Sequence, residues 1–543
     1  MKSRLLQAFS LALLGLQALL PWLYPDFHVQ DGPAHLYTAA SLRAVLAGGG
    51  SPLQQLYELN RIPVPNWTNT AVFTAAGALV GQRHAEALAF SLYVLAAYFC
   101  FSYALRALAP GWPLFHPVLN ALVWPKYLFF GFFNFYLGIA GMAFTLAFFI
   151  RHWAGAGWRL YLRLGGLLLL LYFTHLVTAF LAAGALLAAG VWLSRFPPAT
   201  ARPSTGPLRR MLPLSVLMLP LLALTLLFIV SAHKGVSPVA LSVPAALGHL
   251  QRFPFEAFEI AQRPFLDQKP SLAALLILMA IGFLHILRKR DTSAAALLLW
   301  LAAALALLSF FVPDAAFGGA WFKQRLGWVS VILGSVGAAA LARPPVVVRI
   351  LQCAAGALMS VTVLLMLPQA GRIGAAYAEF NRIESRIRPG ATLMRITLPL
   401  SSFPDRYGIQ DLVFLPFQHA ELLIAARRDC FALTDLQALL GFYPLVMTSP
   451  YPPATRERLL LLADDPPPRP APHLETLFRD LPELPGYVLV IGAGPSSPPQ
   501  DSVEDTPLRE VERVLSPRYE NVAPPEAASF VRLYRLRAAA PSP

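Results

Sequence analysis

Long apolar runs, broken by short loops that carry one to four basic residues, dominate residues 1–368. A helix needs about 20 predominantly apolar residues to cross the hydrocarbon core of a bilayer. By that measure the pattern predicts about eleven transmembrane helices: 5–23, 85–108, 114–131, 133–150, 158–174, 175–194, 210–231, 270–288, 293–312, 324–342 and 347–368. One further run, Trp67 to Gln82, is apolar but only about 16 residues long, short for a span. Read as interfacial, it leaves Arg106, Arg151, Arg159, Arg163, Arg195, Arg202, Arg209 and Arg210 in cytoplasmic loops, with Arg288, Lys289, Arg290, Arg343 and Arg349. Read as a crossing, it would move all of these outside and invert the positive-inside bias. Within 158–194 two short helices must turn near Thr174 and His175.

From about residue 369 the pattern changes. Arg372, Arg382, Glu384, Arg386 and Arg388 arrive together, and proline-rich linkers such as Asp465-Pro466-Pro467-Pro468 appear. Residues 413–415, 487–491 and 530–534 read as short strands, with helical periodicity at 418–427 and 455–463. The expected organisation is a transmembrane domain, 1–368, with a first outside loop at 24–84. A C-terminal extracytoplasmic α/β domain follows at 369–543. No internal repeat is evident.

Composition agrees with a polytopic α-helical membrane protein: 56% of the 543 residues are hydrophobic and 13% charged, with mean hydropathy +0.55. The net charge of +14 does not indicate nucleic acid, because the arginines lie mainly in short loops between spans. Cys100, Cys353 and Cys430 have no metal-ligand spacing and form no disulfide framework. Lys2 and Arg4 precede the first apolar run, which lacks a small-residue cleavage site. It reads as an uncleaved anchor with a cytoplasmic N-terminus, in a bacterial-type inner or plasma membrane.

The first outside loop concentrates the candidate chemistry. Residues 24–43 emerge from the first span with Asp26, His28, Asp31 and His35. Carboxylates and imidazoles beside a span are costly unless they have solvent, partners or a function. Asp31-Gly32-Pro33 is a helix-start signal, and a helix from Ala34 to about Leu46 would end at Gly48-Gly49-Gly50.

A cytoplasmic N-terminus, one span, and an outside loop whose acid enters a short membrane-parallel helix resemble the GT-C superfamily of integral-membrane glycosyltransferases. The run 67–82 is similar to the second of that fold's two juxtamembrane helices. The outside C-terminal domain is similar to that of the dolichyl-phosphate-mannose and aminoarabinose transferase branches. The resemblance covers roughly 1–368. It implies a GT-C-like fold and transfer of a sugar from a polyprenyl-phosphate-linked donor to an extracytoplasmic glycan, lipid or protein acceptor. It puts Asp31, in Gln-Asp-Gly-Pro-Ala-His-Leu-Tyr, at the place of the first-loop catalytic acid. Where several branches carry a second acid in the next outside loop, this chain has Asn134, after Lys126-Tyr127-Leu128-Phe129-Phe130-Gly131-Phe132-Phe133.

Sugar transfer from a lipid phosphate with inversion requires a base for the acceptor's proton and cations or donors for the leaving phosphate. Asp31 is the candidate base and Asp26 the alternative; against both stands the reading that Asp31 only caps the helix at Pro33. His35, one helical turn on, and His28 could join Asp31 around a divalent ion. The competing reading is interfacial histidines bonded to solvent or backbone. His175 either lines the cavity or satisfies a broken helix. Trp321-Phe322-Lys323-Gln324-Arg325 starts a span from the outside, against the positive-inside trend. Lys323 and Arg325 therefore suggest an anionic ligand, or snorkelling to headgroups; Lys126 and Lys234 are further phosphate candidates. Gly492-Ala493-Gly494 lacks the third glycine and the helix of a dinucleotide turn. Two other function classes remain: a lipid-linked-oligosaccharide transporter or flippase, without the repeated halves or mid-span charges usual there, and a non-catalytic envelope scaffold.

Overall fold

The computed structural model describes residues 2–48, 50–197, 207–232, 269–312, 315–316, 319–342, 345–398, 417–440, 443–448, 453–464, 470–492, 506–524 and 530–538. The expected strand at 413–415 lies outside these residues, as does Lys234. Among the described residues, seven helices are long and apolar enough to cross a membrane. They are Arg4–Leu23, Gln82–Leu108, Phe133–Gly155, Leu176–Arg195, Met211–Val230, Phe322–Leu341 and Val348–Arg386. Only 22% of the last one's apolar window is buried within the protein, and Ile350, Val361 and Leu364 are exposed on it. Apolar surface on this scale is stable where lipid solvates it.

The other four expected spans turn out differently. Segment 114–131 is not one helix: it folds as Pro117–Leu122 and Lys126–Phe129. Pro117 opens the first piece and Pro125 immediately precedes the second, and a proline ring disfavours helical geometry in the residue before it. Gly131 has φ +78° and closes the segment. Trp158–Thr174 is a helix of 17 residues, short for a perpendicular crossing. Leu275–Lys289 and Ala294–Ser309 bend by 120° at the intervening break and together count as one broken or re-entrant span at most, giving up to eight. Arg290 turns there with φ +49°, and the Ser293 amide donates to Asp291 Oδ1 at 2.7 Å.

The chain forms two compact units. The first comprises 1–19, 62–68 and 90–366. Its core joins helices through small residues. A Cβ on Gly337 would meet the Ala295 carbonyl oxygen at 2.8 Å, and one on Gly282 would meet the Ala338 Cβ at 2.9 Å, so backbones approach closely, as in many membrane interfaces. The broken 117–122 segment is held by amide pairing. Asn120 Nδ2 donates to Gln17 Oε1 at 3.0 Å, Gln17 Nε2 to the Asn120 carbonyl at 2.9 Å, and Ser10 Oγ to Asn120 Oδ1 at 2.6 Å. Polar groups buried at membrane depth need such internal partners.

The second unit comprises 20–61, 69–89 and 367–543. Its centre is a five-stranded mixed sheet in the order Phe431–Ala432, Thr392–Thr397, Tyr487–Ile491, Val531–Leu536, Tyr519–Asn521. The first three strands run parallel and the last two pairings are antiparallel. Tyr487–Ile491 is buried throughout, which is why it reads as a continuous apolar run. Helices Ala420–Arg428 and Pro453–Asp464 account for the helical periodicities. The first-loop strand Tyr57–Leu59 pairs antiparallel with Leu445–Met447, tying loop and C-terminal residues into one body. Helices Gly32–Ala47 and Trp67–Val80 are the two expected in the first loop.

The charge distribution sets an expected topology. In a background free of natural cysteines, Thr205→Cys should be labelled only from the cytoplasm, and Glu457→Cys only from outside. Labelling of Thr205→Cys from outside would mean that 67–82 crosses, and would overturn the first-loop assignment.

Candidate functional site

The helix Gly32–Ala47 is buried from Gly32 through Leu42. Its polar side chains need partners there, since an unsatisfied buried polar group costs roughly 1–3 kcal/mol. Asp31 occupies the N-cap position with φ −92° and ψ 1°, but its side chain makes no capping bond. The capping reading therefore gives way: Asp31 Oδ1 lies 3.6 Å from Nε2 of His419, a buried histidine. The Asp31 side chain keeps 19% of its surface exposed. Burial, with Arg395 and His35 nearby, drives the His419 pKa well below its usual range, so at neutral pH a neutral imidazole faces the carboxylate.

Glu86 fixes the approach to this helix. Its Oε1 accepts from the Val29 amide at 2.8 Å, and its Oε2 lies 2.6 Å from His28 Nδ1. A Cβ at position 32 would come within 2.2 Å of the carboxylate, so only glycine lets the helix start this close to it. Glu86 sits at the head of Gln82–Leu108 and was not among the sequence candidates. As an acid at the edge of an apolar run it satisfied the same criterion that singled out the first loop.

The set expected to hold a divalent ion is not assembled. His28 turns to Glu86, and His35 Nδ1 lies 3.1 Å from Gln437 Nε2, whose Oε1 accepts from Thr38 at 2.8 Å. Among the described residues no three His, Cys, Asp or Glu side chains converge as a metal site. Asp26 takes a separate place, with Asn381 Nδ2 3.3 Å from its Oδ1.

One turn further along the same helix, Tyr37 donates to the Cys430 carbonyl at 3.1 Å and accepts from the Ala432 amide at 3.0 Å. Tyr57 OH lies 3.2 Å from Tyr37 OH and 3.1 Å from Asp435 Oδ2. One hydroxyl proton cannot serve both neighbours fully. The order closes if Asp435 is protonated and donates to Tyr57, which then donates to Tyr37. Burial pushes the Asp435 carboxyl up to about 7, consistent with that arrangement. Beside it the buried Glu421 pairs with Arg395 at 3.2 Å and accepts from Thr434 at 3.0 Å. Burial raises the Glu421 pKa, against the opposing effect of Arg395.

In the first unit, His175 and Arg325 come together. His175 breaks the chain between Trp158–Thr174 and Leu176–Arg195 with extended dihedrals, φ −162° and ψ 120°. Its Nε2 lies 3.1 Å from Arg325 Nη1. The guanidinium stands 5.2 Å from the ring centres of both Phe132 and Phe135, a cation–π arrangement. Trp321, in the left-handed region at φ +66°, packs 5.8 Å from Phe132. Asn134 donates from Nδ2 to the Asn66 carbonyl at 3.3 Å. Lys323 lies on the same helix start, half-buried, and Lys126 begins the Lys126–Phe129 helix.

No protein-family model matches the chain, and no curated protein matches it. Among solved structures, the crystal structure of ArnT from Cupriavidus metallidurans bound to undecaprenyl phosphate aligns with it. The alignment covers 98% of each chain at 13% identity and a TM-score of 0.40. That likeness is too low to transfer any residue's role.

The Asp435 arrangement makes stability depend on pH. Its ordinary value is 3.8 and its folded value about 7, so the folded state retains a proton the unfolded chain has released. This contribution is complete below the unfolded pKa and is lost as pH rises through the folded one. The thermal midpoint of the wild type relative to Asp435→Asn should therefore fall as pH rises from about 4 to about 8. Superimposable pH profiles for the two proteins would refute the protonated order.

Proposed function

We propose that the chain is a membrane glycosyltransferase of GT-C type. It takes a sugar from a polyprenyl-phosphate-linked donor and passes it to an extracytoplasmic glycan, lipid or protein. The observation that carries the reading is Asp31: a first-loop acid at a helix start, released from capping, partly exposed, and facing a neutral histidine. Seven apolar helices and two first-loop helices too short to cross support the same reading.

In this reading Asp31 accepts the proton of the acceptor hydroxyl as that oxygen attacks the sugar's anomeric carbon. The bond from that carbon to the lipid phosphate breaks, and the phosphate leaves with the bonding electrons. Proton acceptance by a placed carboxylate contributes typically 10²–10⁴-fold. His419 orients the carboxylate without a full positive charge, which would hold it in a tight ion pair. Glu86 and His28 keep the loop in register. In the first unit, taken by itself, Arg325, backed by His175 and flanked by two aromatic faces, is the residue we assign to binding a polyprenyl phosphate, with Lys323 on the same helix start. A guanidinium offers planar, bidentate donors for phosphate oxygens.

Two measurements test this. Asp31→Asn should lower sugar transfer from lipid-linked donors in membranes by about 10²–10⁴. Its thermal midpoint should barely change, because no capping bond is lost; transfer persisting at the wild-type rate would remove Asp31 from the mechanism. Arg325→Ala should weaken binding of a polyprenyl phosphate by roughly 10- to 100-fold, as expected for loss of a charge-assisted hydrogen bond. Unchanged affinity would return Arg325 to headgroup or structural contact.

A further inference from the structure

A cavity of about 930 Å³ opens in the second unit, away from the Asp31–His419 pair, neither member of which lines it. One wall is a face of the Gly32–Ala47 helix, where Ala40, Ala44 and Ala47 leave room around Arg43. The others come from the start of the Gln82–Leu108 helix, from Ala378 to Glu384, and from the end of the Ala420–Arg428 helix.

Charge on these walls is balanced. Arg43, Arg83 and Arg427 stand with Asp26, Glu384 and Asp429. Glu384 already pairs with Arg427 at 3.4 Å, and Asp429 lies close enough to Arg43 to stabilise its charge. A multiply charged anion would meet three carboxylates here, and a cation three guanidinia. The walls nevertheless carry hydrogen-bonding groups of both senses, guanidinium and amide donors beside amide and carboxylate acceptors. Within the lining residues Arg43, Gln82 and Asn381, the atoms Arg43 Nη1, Gln82 Oε1 and Asn381 Oδ1 are themselves buried and lack a partner. Buried groups of this kind normally find one. Arg43 is held in place by Gly77, where a Cβ would come within 2.1 Å of its Nη1.

We propose that this cavity binds an uncharged saccharide of one or two rings. Adjacent hydroxyls both donate and accept, matching interleaved guanidinium, amide and carboxylate groups, and the volume lies in the usual range for small-ligand sites. The assignment does not depend on Asp31 being a base: the cavity is a binding site separate from the Asp31–His419 pair.

The test is saturation-transfer NMR on the full-length protein in lipid nanodiscs, free of glycoside detergent. The probes are methyl glucoside, methyl mannoside, N-acetylglucosamine, lactose and glucose 6-phosphate. At least one neutral sugar should bind, with Kd on the order of 1 mM, and more tightly than glucose 6-phosphate. Ala44→Trp, which fills the cavity, and Arg83→Ala, at an exposed position, should each weaken that binding at least about 10-fold. Thermal midpoints report whether Ala44→Trp folds, and Arg83→Ala decides the matter if it does not. Absence of binding by any neutral sugar, tighter binding of the phosphate, or affinity unchanged in Arg83→Ala would overturn the proposal. Because the readout is binding, a failed transfer assay leaves this result intact.

Discussion

A carboxylate taken out of water is tolerated only when its oxygens are bonded, and Glu86 meets that condition with the Val29 amide and His28. Much of the first loop follows from it. The two contacts fix residues 28 and 29, and the lack of a side chain at Gly32 lets the next helix begin against the same carboxylate. Asp31 lies between these fixed points, so its position is set before any partner of its own is considered. That explains how an N-cap residue can forgo capping and turn its side chain to His419.

The buried first-loop helix transmits this order into the C-terminal residues. His35 and Thr38 meet Gln437, while Tyr37 meets Cys430 and Ala432. These side chains replace water for a helix whose first eleven residues are buried. The Tyr37–Tyr57–Asp435 chain adds direction to the network, because each hydroxyl has one proton to give. Networks of this kind specify a unique packing when every member is satisfied.

The spans were legible where the chain is locally simple. Seven of the expected eleven emerge as long apolar helices because length and hydropathy suffice to define them. Segment 114–131 misled because hydropathy ignores backbone chemistry, while Pro117 and Pro125 interrupt helical hydrogen bonding regardless of how apolar the stretch is. The bend between Leu275–Lys289 and Ala294–Ser309 is likewise a matter of geometry, which composition does not record. In the first loop, Asp31 stood out because it is an acid at a helix-start signal. Its partner His419 did not, nor did Gln437 and Asp435, since pairings across nearly 400 residues leave no local periodicity. His175 and Arg325 were each marked by an unusual position, a helix break and a cation at the start of a span. Their contact at 3.1 Å could come only from the fold.

The second unit draws on 20–61, 69–89 and 367–543, and this has a consequence for biosynthesis. During synthesis the helix Gly32–Ala47 leaves the ribosome long before Cys430, Asp435 and Gln437 exist. For that interval Tyr37, Tyr57 and His35 lack their contacts with Cys430, Asp435 and Gln437, and the helix must wait while the intervening residues are made. Maturation is therefore gated by completion of the last third of the chain. A nascent chain stalled before residue 430 would hold inserted helices but an unassembled first loop, a form for membrane quality control to recognise.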